Sequence, residues 1–386
     1  MKFPLSRNSR VYIPVASLSR RATRSRPGNN GNATARERPV EERPALDVYL
    51  RLRGEAQQDG VRAATIRVIE ALATAAVALS GIVAAGPLAG IGGKAAGVNP
   101  DGDRQLDIDI AADRLMREAL RTTSVAAVLS EEAELPEQID PNGPLCVAID
   151  PLDGSVNLAN NISVGTIFSI RPRLRDSVST FFEPGTVQCA AGFFIYGPRT
   201  ALVLAIDRSV DVFTLDPATR QFVLTQRGVR IRADTPEFAI NASNRRHWSS
   251  AVRGYIDGCI AGADGPRGED FNMRWVGSLV AEVLRILVRG GVFLYPADSR
   301  PGYRDGRLRL IYEAHPMALI MEWAGGAASN ARDRILDLSA RGLHQRVPLI
   351  MGALPAVREI DSMHQGVQPL FESGDAPLFT NRSLFR

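Results

Sequence analysis

From Val147 to Ile170 the chain holds two apolar, strand-like runs, and between them lies Asp150-Pro-Leu-Asp153-Gly154-Ser155-Val-Asn157. A strand that ends in two closely spaced carboxylates, followed by exposed backbone N–H groups, offers hard oxygen ligands next to an anion cradle. That combination suits a divalent metal holding a phosphate. An acidic turn that merely punctuates two strands would carry the same residues, so further acids have to decide between the two readings.

Upstream, the apolar stretch Val125–Leu129 leads to Ser130, Glu131 and Glu132, a second probable strand with paired carboxylates at its C-terminal end. In α/β sheets ligands sit outside the carboxyl ends of strands. Before it, Asp103, Asp107 and Asp109 enter a short helical pattern through Leu115 and Leu120, where an Asp also serves as an ordinary cap. Downstream, Leu308–Tyr312 reads as a strand running into Glu313, with His315 and Pro316 opening a helix. Strand, acid and helix thus recur three times.

Asp150-Pro-Leu-Asp-Gly-Ser-Val-Asn157, Ser163-Val-Gly-Thr-Ile-Phe168, Arg274-Trp-Val-Gly-Ser278, Gly291-Val-Phe-Leu-Tyr-Pro296 and Arg307-Leu-Arg-Leu-Ile-Tyr-Glu-Ala-His-Pro-Met317 together resemble class 1 fructose-1,6-bisphosphatase over roughly residues 60 to 360. The first motif alone fits the wider lithium-sensitive phosphatases, including inositol monophosphatases. Tyr312-Glu313 followed by His315-Pro316 favours the sugar bisphosphatase. Strands and helices that alternate to about residue 230, followed by a smaller α/β half, resemble the family's layered αβαβα sugar-phosphatase fold of two α/β halves, residues 46–230 and 231–360, with the active site between them. The resemblance also implies two or three Mg2+ ions per subunit, replaceable by Mn2+. Glu131, Asp150, Asp153, Glu313 and the carbonyl of Leu152 would hold metal, with Asp103 a weaker third-metal ligand. Asp107 and Glu132 would position and deprotonate the attacking water. A phosphate monoester dianion repels a nucleophile, so cations that neutralise it and lower the water pKa leave little else for the protein to do.

For the substrate, the resemblance points to Asp153, Gly154, Ser155, Asn241, Arg274, Tyr295 and Arg307, with Arg274 reaching a neighbouring subunit of a homotetramer. Four positions depart from the family pattern. Arg307 stands for a Lys, Asn244 for a Tyr, Trp275 for a Tyr, and Val156 for a Ser. Arg binds phosphate with a different reach and geometry from Lys, so sedoheptulose 1,7-bisphosphate joins fructose 1,6-bisphosphate as a candidate substrate. The window Arg62-Ala63-Ala64-Thr65 and the pair Pro144-Leu145 lack the residues of AMP-inhibited members, which predicts little or no AMP inhibition.

Composition excludes several other roles. Residues 1 to 45 hold ten Lys or Arg against three Glu, whereas the rest of the chain holds 36 basic and 39 acidic residues. The overall charge of +4 therefore belongs to a tail expected to be disordered; the partner that the resemblance implies is a sugar bisphosphate, with neither nucleic acid nor membrane. That Arg- and Ser-rich tail also fits an organelle transit peptide. No apolar segment reads as long and continuous enough to span a bilayer; Ile66, Ile69, Leu72, Ala76 and Val83 predict a packing helix that Gly86-Pro87 stops. Cys146, Cys189 and Cys259 are too scattered for a metal knuckle or redox pair and fit reduced thiols of a cytoplasmic enzyme. His315 reads as structural rather than as a base, and residues 361–386 as a partly ordered tail. Gluconeogenesis and the reductive pentose phosphate cycle use the same hydrolysis. Two other readings remain: a phosphatase for inositol-type monoesters, and a catalytically dead protein that binds through its basic tail.

Overall fold

The computed structural model describes residues 43–54, 59–90, 95–98 and 104–366. Asp103, residues 1–42 of the expected basic tail and residues 367–386 lie outside the described residues.

Eight strands form the first sheet, in the order Gln221–Gln226, Ser209–Asp216, Ala201–Ile206, Ala190–Tyr196, Val164–Pro172, Leu145–Asp153, Val125–Ser130 and Glu137–Gln138. Its side chains alternate faces with the period of two that a strand dictates. Ala201, Val203 and Ala205 enter one core, and Leu202, Leu204 and Ile206 the other. The second core is closed by the helices Gly60–Ala85 and Asp107–Arg121. On the opposite face lie the helices Leu279–Arg289 and His315–Trp323, which also pack on a second sheet of five strands: Asn272–Met273, Glu237–Ala239, Val292–Tyr295, Leu349–Gly352 and Ala327–Ser329. A third core, with Val252, Ile256, Val357 and Ile360, covers the far side of that sheet with the helices Ser250–Ile260 and Leu354–His364. Helix, sheet, helix, sheet and helix thus stack as the expected five layers.

Four expectations are corrected. Strands and helices do not alternate up to residue 230. From Val164 to Gln226 five strands follow one another antiparallel, and the only parallel pair in that sheet joins Val125–Ser130 to Leu145–Asp153. From Ala190 to Gln226 the connections are too short for crossover helices. Asp207 and Arg208, both with positive φ (53° and 57°), form a two-residue hairpin turn.

The strand expected over Leu308–Tyr312 is only Leu308–Arg309; Leu310–Ala314 winds as a π turn directly into the helix at His315. Pro316 has no N–H to hold an α register across that turn, and the His315 N–H bonds to Leu310 O instead. The stretch Gly60–Ala89 is in fact long and apolar enough to cross a membrane, with a mean hydropathy of 2.0. Val68, Ile69, Leu72, Ala76 and Leu79 give it a face buried in the protein's own core. Finally, the last helix continues past residue 360 to His364, because Asp361 accepts from Ser329 Oγ (2.5 Å) and Ile360 is buried.

Candidate active site

Residues i and i+3 of a flat strand point to opposite faces, yet ligand oxygens of Asp150, Asp153 and Glu313 all lie within 4.8 Å of one another. A bulge brings the two aspartates together. Asp150 faces Ile167 and Asp153 faces Gly165 on the neighbouring strand, so two residues, Pro151 and Leu152, oppose Thr166 alone. The extra residue restores a common aim. Pro151 suits the position because a bulge needs no ladder donor. Thr166 Oγ1 pins the bulge, donating to Pro151 O (2.8 Å) and meeting Tyr196 Oη at 2.9 Å. Asp150 Oδ1 accepts the Leu152 N–H (3.1 Å).

Asp153 belongs to the first sheet but caps a helix from the second half of the chain. Its Oδ2 accepts the N–H of Val280 (3.3 Å), in the first turn of Leu279–Arg289. Ser278, the residue at the cap position, makes no such bond, and its Oγ is buried without a partner. Helix and strand approach this closely because residue 165 is glycine. A Cβ there would lie 2.3 Å from Phe194 O and 2.7 Å from Val280 Cγ1. Gly154 takes a left-handed conformation (φ 73°), and Ser155 starts the short turn that follows. Asn157 Nδ2 then reaches Gly277 O (2.9 Å) in the other half.

The second acidic pair flanks this cluster. Glu131 pairs with Arg309 (2.7 Å), and Glu132 accepts from Gln105 Nε2 (2.8 Å). Asp107 opens the helix Asp107–Arg121, while Asp109, in its first turn, makes the capping bond: its Oδ2 accepts the Leu106 N–H (2.7 Å). Glu313 folds back so that its Oε2 accepts the Arg309 N–H (2.6 Å). His315 is fully buried, as expected of a structural residue. Its Nδ1 lies 2.7 Å from Arg171 Nη2 and its Nε2 3.1 Å from Leu338 O. Burial and the Arg171 charge hold its pKa well below the usual imidazole range, so the ring is neutral. A neutral ring satisfies both contacts by accepting at Nδ1 and donating at Nε2.

Burial pushes up the carboxylate pKa values of Glu132, Asp150, Asp153 and Glu313. Glu132 is pushed up to about 8 by burial and then by the charges of Glu131 and Asp109. Glu313 rises to about 8 through burial, against the pull of Arg309. Asp153 rises to about 6 through burial, although the Val280 and Leu279 N–H groups oppose it. Asp150 is raised well above the carboxylate range by burial and by Glu131. Hard oxygen donors crowded together at the cost of their own ionisation fit a divalent cation of the magnesium kind.

The substrate candidates divide into two groups. Asn241 and Tyr295 line a shallow, open hollow together with Asn244, Trp248, Trp275 and Pro296. Arg307 flanks it, with its guanidinium over the Tyr303 ring at 4.9 Å. Arg274 is not part of this hollow. It lies 3.7 Å from Glu237, which also pairs with Arg285 and Arg289. Sequence reasoning missed Gln105, Arg309, Thr166 and Gly165. Arg309, Gly165 and Thr166 stood inside quoted motifs, but nothing in their spacing marked a role.

The profile of the fructose-1-6-bisphosphatase N-terminal domain matches residues 52–227, and that of its C-terminal domain residues 231–365. The chain belongs to the fructose-1,6-bisphosphatase family. A Bradyrhizobium sp. protein named fructose-1,6-bisphosphatase class 1 2 is 65% identical over 91% of this chain and 100% of its own length. Another Bradyrhizobium strain has a class 1 fructose-1,6-bisphosphatase 66% identical over 87% of this chain and 94% of its own. Among solved structures, Leishmania major fructose-1,6-bisphosphatase in holo form superposes with a TM-score of 0.77 at 30% identity, covering 84% of this chain and 99% of that one. The fold of this fructose-1,6-bisphosphatase family member is thus the sugar-phosphatase fold, and the family is one of phosphatase hydrolases.

Proposed function

We propose that this chain hydrolyses fructose 1,6-bisphosphate to fructose 6-phosphate and phosphate, using two or three Mg2+ ions per subunit. The observation that carries this reading is the bulge that gathers Asp150 and Asp153 beside Glu313. Those three, with Glu131 and the Leu152 carbonyl, would hold the metal, and Mn2+ offers a substitute of similar preference. When bound, such ions neutralise the phosphate oxygens, lower the pKa of water and stabilise the leaving alkoxide. The chain's own groups do the rest. Glu132, oriented by Gln105, accepts the proton of the attacking water. Asp107 holds that water from the helix N-terminus. The N–H groups after Asp153 cradle the phosphate being cleaved, and Asn241, Tyr295 and Arg307 take the remainder of the substrate.

Resistance to AMP is supported by the first long helix. Arg62 is committed to Asp207 and to Arg53 O (3.1 Å), and Thr65 Oγ1 to Val61 O (2.9 Å). A cytoplasmic homotetramer, with Arg274 serving a neighbouring subunit, completes the reading. Sedoheptulose 1,7-bisphosphate is the second substrate to test, because Asn244 and Trp275 both line the hollow.

The experiment measures phosphate release from both bisphosphates, with and without Mg2+, chelator and AMP, alongside Asp153→Asn. Release that needs Mg2+, resists AMP and disappears in the variant is expected. Absence of release from either sugar would overturn the assignment, and strong AMP inhibition would overturn the regulatory part.

A further inference from the structure

The segment 296–306 supplies Pro296, Asp298, Arg300 and Tyr303 to the wall of the hollow, and none of the roles above uses the last three. The segment is closed on itself: the Asp298 N–H donates to Tyr303 O (3.2 Å), the Tyr303 N–H to Arg300 O (3.1 Å) and the Gly306 N–H to Tyr303 O (3.1 Å). Asp298, whose side chain is only 4% exposed, accepts Arg300 Nε with both oxygens at 3.0 Å and also accepts Nη2. The guanidinium so held lies over the Tyr303 ring, 3.9 Å from its centroid. Arg307 lies over the same ring. Asp298, Arg300 and Tyr303 all line the hollow.

An exposed Asp–Arg pair contributes little to stability, and burying a carboxylate costs free energy unless it is paired. A buried aspartate that fixes an arginine at the wall of a hollow is better explained as an orienting group. Asp298 occupies Nε and Nη2, and among the described residues Nη1 has no hydrogen-bond partner. Its two donors remain for a ligand. Arg307, over the Tyr303 ring, stands two residues before Arg309, which pairs with Glu131 and donates its N–H to Glu313. The hollow therefore adjoins the acidic cluster, and one molecule with two phosphates can address both. A planar guanidinium matches phosphate oxygens geometrically as well as by charge.

We propose that Arg300, oriented by Asp298 and Tyr303, binds the distal phosphate of the sugar bisphosphate and sets the preference for bisphosphates over monophosphates. This rests on the sugar-bisphosphatase reading above. The test compares kcat/KM for fructose 1,6-bisphosphate with that for fructose 1-phosphate, which lacks the distal group, in the unaltered chain, Arg300→Gln and Arg300→Lys. Charged hydrogen bonds of this kind carry about a 10- to 100-fold effect. Arg300→Gln should lower the bisphosphate-to-monophosphate ratio by that factor, chiefly through the KM of the bisphosphate. Arg300→Lys should recover part of it, and it keeps the test alive if the glutamine variant fails to fold. An unchanged ratio, whether both substrates suffer equally or neither does, would overturn the assignment to Arg300. No release from the bisphosphate by the unaltered chain would instead overturn the reading on which it rests.

Discussion

Replacing Thr166 with valine tests whether the bulge at Pro151 makes the site. The substitution keeps the side-chain shape and deletes one hydroxyl, which joins Pro151 O at 2.8 Å to Tyr196 Oη at 2.9 Å. Thr166 is fully buried and Tyr196 nearly so, hence water cannot replace the lost partner. A buried polar group left unpaired costs about 1–3 kcal/mol, and two are left here. The expected loss is roughly 2–5 kcal/mol, against which the added methyl returns a little. For a fold of about 310 residues each kcal/mol moves Tm by about 1.5 °C, so a fall of roughly 3–8 °C should appear in a thermal melt. The second effect is on the chemistry. Pro151 is no longer held, Asp150 and Asp153 lose their shared direction, and the Mg2+ concentration for half-maximal phosphate release should rise about tenfold, equivalent to ~1.4 kcal/mol. Thr166→Ser keeps the hydroxyl and should stay close to the unaltered protein in Mg2+ requirement. A valine variant with an unaltered melt and Mg2+ titration would refute the reasoning, and so would a serine variant as impaired as the valine one.

Three further outcomes follow from the same geometry. Gly165→Ala places a methyl 2.3 Å from Phe194 O and against Val280. It should cost about 1–3 kcal/mol as overpacking and weaken Mg2+ dependence by displacing the N–H that caps Asp153, which thermal melts and metal titration would both register. Arg309→Met leaves Glu131 without its 2.7 Å ion pair; the metal-free protein should lose about 3–5 kcal/mol, read by urea unfolding, with a smaller loss when Mg2+ saturates the site. The pH dependence follows from the raised carboxylates. Asp153 at about 6 and Glu132 and Glu313 at about 8 bind protons in the folded state that the unfolded chain has already released near pH 4. Metal-free stability should therefore be fullest below pH 4.5, apart from other titrating groups, and decline as pH rises to 8. Added Mg2+ should stabilise more at pH 8 than at pH 6, and equal stabilisation at both would contradict this picture.

The acids of the site stood in plain view in the sequence because their chemistry is carried by residue type: Asp150, Asp153, Glu131 and Glu313 each follow an apolar run. What brings them together was not visible. Asp150 and Asp153 are three apart, a spacing that strand parity assigns to opposite faces, and only the partner strand reveals the bulge. The turn holding Glu313 looked like strand because Leu, Ile and Tyr satisfy either pattern, while the π turn depends on Pro316 and on the Glu313 bond back to Arg309. The five-layer stack was expected from resemblance, but the antiparallel meander from Val164 to Gln226 was not. Hairpin turns such as Asp207-Arg208 show few local signals without a glycine. Arg300 and Tyr303 lie in a segment with no apolar period, and only the folded loop shows what they face.

Asp153 spends one oxygen on the helix Leu279–Arg289, and Glu313 arrives later still in the chain. A polypeptide emerging from the ribosome therefore displays Glu131, Asp150 and Asp153 long before it owns the residues that complete their surroundings. The first sheet can form early, but the hydrolase is assembled last, when the second half docks. Half-made or clipped chains would then be inert rather than poorly controlled phosphatases, and loss of the metal centre would be an early sign that the two halves have parted.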